Sequence, residues 1–272
     1  MKKNYLNFQL LFFAFVFVLL FGSSAKAAIY PIFANYSGLQ EVAPNASTGK
    51  GVIAGWYNDA TKTISFTIIF GNLTAPTVAA HFHAPAPPGV NAGVIFGYTG
   101  FPTGVVQGSY SNSFVITSLQ ESQLFGGMWY SNIHTAAFPG GEIRAQITLG
   151  NPATQYIINN TYSGTQEVPP NASPATGRII GSYNTVSKTI SYGIIFSGLT
   201  APAAAAHFHA PAPPGVNASV IIGLAGFPAA TSGTYFNSNI LNPVQDTWLL
   251  SNLFYANIHN SSFPGGEIRA QI

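Results

Sequence analysis

The segment KTISFTIIF at 62–70 sets Ile64, Phe66 and Ile68 against Ser65, Thr67 and Ile69. A two-residue period carried by β-branched and aromatic residues predicts a half-buried strand. GVIAGWYN at 51–58, joined to it through Asn58, Asp59 and Ala60, predicts the hairpin partner. Glycine and proline then punctuate the chain every 8 to 12 residues, at Gly51, Gly71, 85–89, Gly100 and Pro102, Gly126 and 139–141. No stretch sustains a 3.6-residue period, and SLQESQLFG at 118–126 accommodates a single helical turn. Several short strands at such spacing predict an all-β fold, a Greek-key sandwich or barrel.

The whole pattern is written twice. YSGLQEVAPN (36–45) returns at a shift of 126 residues as YSGTQEVPPN (162–171), and KTISFTIIF returns as KTISYGIIF. AAHFHAPAPPGVN is unchanged between 79–91 and 205–217, and FPGGEIRAQI between 138–147 and 263–272. A period this long marks a domain duplication, since solenoid repeats run about 20 to 50 residues. The expected organisation is a first domain over 28–147, a linker over 148–156 and a second domain over 157–272.

Charge alters the picture mainly through where it lies. The chain carries 9 basic and 7 acidic residues and a formal net charge of +2. Lys2, Lys3 and Lys26, however, flank an uncharged apolar run at 10–22 that ends in Ser23, Ser24 and the small-residue pattern Ala25, Lys26, Ala27. This predicts a secretory signal peptide over 1–27; an uncleaved anchor needs about 20 apolar residues. Without that segment 6 basic residues face 7 acidic ones. No Lys/Arg cluster then remains to neutralise phosphates, which excludes nucleic acid and, after cleavage, the membrane as partners. The chain has no cysteine. Disulfides and thiolate chemistry are therefore absent, and an exported protein must be held by core packing alone.

All six histidines fall in the matched segments: His81, His83 and His134, then His207, His209 and His259. The stretch 103–123 has drifted almost beyond matching its counterpart, whereas the histidine-bearing stretches have not. On a strand, residues two apart share a face, so His81 and His83 project together and Phe82 oppositely. In MWYSNIHT, placing Trp129 and Ile133 inward sends Tyr130, Asn132 and His134 outward. Three imidazoles then meet on one surface, and a hairpin through FPGG brings Glu142 to His134, where its carboxylate accepts a ring N–H and sets the tautomer. Two readings stand. The histidines are structural hydrogen-bond partners of their own loops, as polar side chains in folded proteins usually are; or they hold a copper or zinc ion, for which three neutral imidazoles with an open position are suited.

The remaining shared charges are Glu41/Glu167, Glu142/Glu267, Lys62/Lys188 and Arg144/Arg269. Glu142 and Arg144, like Glu267 and Arg269, lie two apart on a strand and are expected to pair with each other or across strands. Glu41 is expected to end the first strand and bond exposed loop backbone. Asn132 and Asn257 accompany the third histidine of each unit. No aspartate is shared, so no Ser–His–Asp set exists, and FPGG precedes a strand rather than a helix, so no phosphate loop does either.

HFHAPAPPG, followed about 50 residues later by NIHT and PGGEIRAQI, resembles the CHRD domain, named after chordin and found in many exported microbial proteins. The resemblance implies an immunoglobulin-like β-barrel related to copper/zinc superoxide dismutases, and no established activity. In those dismutases an HxH pair and a later histidine bind copper, which carries over to His81, His83 and His134 and to His207, His209 and His259. No zinc loop, bridging ligand or disulfide accompanies them, so dismutase activity is not implied. The expectation is a secreted, extracellular or periplasmic, non-enzymatic module that binds a protein or glycan or builds a surface; the alternative is a three-histidine copper or zinc site in each domain.

Overall fold

The computed structural model describes residues 27–272; the expected signal peptide lies almost wholly outside the described residues. The first unit contains β1 (Ile29–Ser37), β2 (Lys50–Asn58), β3 (Thr63–Gly71), β4 (Thr77–His83), β5 (Val94–Gly97), β6 (Gly108–Val115), α1 (Ser118–Phe125), β7 (Trp129–Thr135) and β8 (Ile143–Ile147). The second repeats this order as β9 (Gln155–Tyr162), β10 (Thr176–Asn184), β11 (Thr189–Ser197), β12 (Ala203–His209), β13 (Val220–Gly223), β14 (Gly233–Ile240), α2 (Pro243–Leu250), β15 (Tyr255–Asn260) and β16 (Ile268–Gln271).

The chain is thus two tandem all-β sandwiches. In the first, β6-β3-β2-β1 forms one antiparallel sheet and β8-β7-β4-β5 the other, and the two are stitched where Ser37 of β1 pairs with Arg144 of β8. In the second, the same stitch is the bridge between Ser163 and Arg269. The chain passes between sheets at β3–β4, β5–β6 and β6–β7, so strands distant in sequence lie side by side.

Alternation fills the core as the pattern predicts. Ile53, Tyr57, Ile64, Phe66 and Ile68 from one sheet meet Phe82, Trp129, Ile133, Ile143, Ala145 and Ile147 from the other. The opposite face of β2 and β3 is apolar as well: Val52, Ala54 and Ile69 pack on Ile180 of the second unit. The segment between the units also makes contacts, Leu149 bridging to Ile32 and the Gly150 N–H donating to the Pro31 carbonyl.

Residues 118–125 differ from expectation. They form two helical turns, not one, because Thr117 and Gln120 make a reciprocal capping box and Leu124 is buried beneath it. Asn242 and Gln245 make the same box on α2. Tyr57 and Lys62 both donate to Glu121 of α1, tying the helix to the β2–β3 hairpin; Tyr183 and Lys188 do so to Asp246.

Candidate metal centre

The register of β4 on β7 sets Ala79 opposite His134, His81 opposite Asn132 and His83 opposite Tyr130. β8 continues the rows by placing Arg144 beside Asn132 and Gln146 beside Tyr130. All of these side chains stand on the face of the sheet away from the core. Strand alternation therefore brings His81, His83 and His134 together, as the sequence predicts, and does the same for His207, His209 and His259. In each triad one potential ligand nitrogen per ring lies within 4.8 Å of the others.

Backbone carbonyls set the tautomers. His83 Nδ1 lies 2.9 Å from the Ala92 carbonyl and His134 Nδ1 2.9 Å from the Pro139 carbonyl. A carbonyl only accepts, so both rings carry their proton on Nδ1 and turn the Nε2 lone pair toward the cluster. His81 Nδ1 is 3.1 Å from His134 Nε2 and donates to it. His83 Nε2 is buried and has no hydrogen-bond partner, and His209 Nε2 repeats this in the second unit. An unpartnered lone pair clustered with two other imidazoles is a position that a metal would fill, since buried polar atoms are otherwise paired; the Asn132 side chain also neighbours His83, and Asn257 neighbours His209.

The donor set fits copper or zinc. Two nitrogens 3.1 Å apart, each about 2.05 Å from an ion, subtend about 100° at it, close to tetrahedral. Tetrahedral ligand atoms stand roughly 3.4 Å apart at such bond lengths, so drawing in the third ring takes a shift of order one ångström. His83 and His134 would hold an ion through Nε2, and His81 through Nδ1 once its proton had moved to Nε2 and its bond to His134 was released. Burial lowers the pKa of every ring in both triads, that of His81 to about 4, so neutral, ligating imidazole is the ground state at neutral pH. His83 is buried, His81 is half-buried, and the residue beside His81 on β5 is Gly97, which leaves that ring's outer edge uncovered.

Glu142 does not meet the expectation placed on it. Its carboxylate is fully buried on the other side of the turn and accepts from Ser47 Oγ, Thr74 N, Thr74 Oγ1 and Thr135 Oγ1. It is an anchor for three chain segments, not a partner of His134; the residue next to His134, Thr135, takes it instead. Glu267 accepts from Ser173, Thr200 N and Asn260 in the same way. Nor does Arg144 pair with Glu142. Its guanidinium lies 3.5 Å from the Tyr130 ring centroid and donates to the Val90 carbonyl at 2.9 Å and to Gln146 at 2.9 Å. Arg269 does the same over Tyr255, at 3.4 Å. The loop after β4 is thereby pulled down over the outer face of the sheet, which is why that face is buried.

Glu41 is likewise buried, not bonded to exposed backbone. Its Oε1 lacks a partner, and burial raises its pKa to about 7 against the opposing pull of Arg144; Glu167 has the same fate beside Arg269. The turn residue Gly141 has φ +131, and a Cβ there would stand 2.4 Å from Glu41 Oε1 and 2.8 Å from Asn132 Nδ2. Asn132 and Asn257 lie in the same rows as the histidines, each with a buried Oδ1 that has no partner.

Tyr130 and Tyr255 had no role on sequence grounds. The Tyr130 ring stacks on His83 at 4.7 Å and 2°, and Tyr255 on His209 at 4.7 Å and 3°. Arginine, tyrosine and histidine therefore form one column in each unit. The signal available was the retention of this tyrosine while its neighbours changed from Trp129 and Ser131 to Phe254 and Ala256.

Fold and site together define a duplicated β-sandwich protein with a three-histidine cluster on the same sheet of each unit. The family model for the CHRD domain matches residues 32–147 and again 158–272. The chain belongs to that family and contains two tandem copies of its domain. No curated protein and no solved structure matches it.

Proposed function

We propose that this is an exported protein whose two CHRD domains each bind one copper or zinc ion through His81, His83 and His134 and through His207, His209 and His259. The observation that carries the reading is the orphaned, buried Nε2 of His83 and His209, each beside two further imidazoles and with its own Nδ1 proton fixed by a carbonyl. A bound ion would supply a Lewis-acid centre, or with copper a one-electron centre. The chain's own residues hold three neutral rings in place and fix two of their tautomers. Glu142 and Glu267 are committed to anchoring chain segments, so neither is a base for its triad. Export rests on the apolar run at 10–22. An extracellular role toward a protein or glycan draws on a different surface, the hydroxyl-rich face around Trp56, where Arg178 is the single charged side chain.

Titration of purified metal-free protein with zinc(II) and copper(II), followed by elemental analysis, tests the proposal. The expected stoichiometry is two ions per chain, falling to one when the three histidines of one unit become alanine and to none when all six do. At free metal one hundredfold above Kd, binding stabilises a unit by about 2.7 kcal/mol. Retention of no metal by the native chain, or undiminished retention by the six-alanine variant, would falsify it.

A further inference from the structure

The outward row on β2, β3 and β6 sets a partly exposed aromatic ring among hydroxyls. Register places Trp56 opposite Ser65 and Ser65 opposite Ser113, so an indole and two hydroxyls stand side by side across three strands. Trp56 is 39% exposed, whereas the equivalent position in the second unit, Ser182, is 6% exposed. Packing common to the two units therefore does not require the indole.

Two depressions meet at Trp56 and Ser65. One, about 420 Å³, runs across the boundary between the units to Ser111, Asn112, Asn159 and Arg178. The other, about 430 Å³, runs the opposite way to Asn58, Thr61 and Thr63. Neither contains an acidic side chain, and the single cation, Arg178, donates to Ser111 Oγ at 3.0 Å. In the first depression Asn159 Nδ2 bonds Thr67 Oγ1, but its Oδ1 is buried without a partner.

We infer that this surface is a binding site for a neutral oligosaccharide. A pyranose offers one apolar C–H face and a rim of hydroxyls that both donate and accept. A flat, partly exposed indole matches the first, because aromatic side chains combine apolar area with low conformational cost. Serine, threonine and asparagine match the second, being donor and acceptor at once. The lack of free charge disfavours anionic and cationic ligands, and the shallow, two-lobed shape with the indole at its middle suits an extended chain of sugar rings. The site is independent of the histidines, which lie on the other sheet.

The test is affinity electrophoresis of the native protein in gels containing hydroxyethyl cellulose, xylan or laminarin, followed by fluorescence titration with the matching oligosaccharides. Trp129 is fully buried but Trp248 of α2 is only partly so, so the quenching owed to Trp56 is the part lost in Trp56→Phe. Retardation by at least one polysaccharide is expected, with affinity cut at least tenfold by Trp56→Ala and largely kept by Trp56→Phe. Both variants should retain the native thermal midpoint and zinc stoichiometry. The inference is overturned if none of the three retards the protein, if Trp56→Ala binds as tightly as the native chain, or if Trp56→Ala instead abolishes self-association of a native dimer.

Discussion

Replacing Glu142 by glutamine keeps the shape of the side chain and removes one acceptor oxygen from a site that has only donors around it. Ser47 Oγ, Thr74 N and Thr74 Oγ1 converge on Oε1, and Thr135 Oγ1 donates to Oε2 at 2.7 Å. Hydrogen bonds to a charged acceptor are worth about 1.5–3 kcal/mol and neutral ones about 0.5–1.5 kcal/mol, so four bonds weakened by roughly 1 kcal/mol each set an upper bound near 4 kcal/mol. The amide nitrogen, placed at Oε2, forces the Thr135 hydroxyl to accept while it already accepts from the Phe138 N–H, leaving its own proton without a partner. Relief of burying a carboxylate offsets part of this. The expected net loss is about 2–4 kcal/mol, a fall of roughly 8–16 °C in the midpoint for a domain of this size. Glu267→Gln should do the same to the second unit. Urea unfolding followed by tryptophan fluorescence, with calorimetry to separate the units, measures it. A loss below about 0.5 kcal/mol would refute the reasoning, since desolvation would then cancel the whole network.

Three further outcomes are expected. Tyr130→Leu removes the stack on His83 and should weaken zinc binding by the first unit roughly 10-fold or more, the scale of lost orienting contacts, while Tyr130→Phe keeps the stack, loses the hydroxyl's bonds to Ala92 and should weaken it less; isothermal titration distinguishes them. Burial raises the pKa of Glu41 and Glu167 from 4.5 to about 7 in the fold, so these groups favour folding at low pH and that contribution is lost as pH rises from about 4.5 through 7; the stability of the double Glu→Gln variant relative to the native chain should climb across that window and be flat below it, as read from denaturant midpoints against pH. Gly141→Ala should cost about 2 kcal/mol or more, because φ +131 is closed to a Cβ and the atom would strike Glu41 Oε1; unchanged thermal stability would count against that close approach.

Much of the site was legible because strand chemistry is local. A two-residue period fixes which side chains share a face, so HxH on one strand and NxH on another necessarily offered three imidazoles to one surface once the strands paired. The partners of Glu142 were not legible, since Ser47, Thr74 and Thr135 reach it from three segments distant in sequence. Two residues of separation on a strand suggested that Glu142 and Arg144 act together. Instead the carboxylate turns into the turn region and the guanidinium lies flat on Tyr130 under the loop after β4, because each found better partners there. The second helical turn of α1 was missed because its apolar face contributes just one buried residue, Leu124, too little to register as a period.

By itself the sequence determined the duplication, the all-β class, the inward and outward faces of each strand and the six histidines as candidate ligands, because these follow from periodicity and repetition along the chain. Tertiary structure alone decided that the histidine face is roofed by its own loop, that the tautomers are held by the Ala92 and Pro139 carbonyls, and that Glu41 is buried beside Arg144. It also decided that Val52, Ala54 and Ile69 face the other unit instead of water. These depend on the crossing of strands between sheets and on the docking of one sandwich on another, contacts between residues whose separation in sequence carries no local signal.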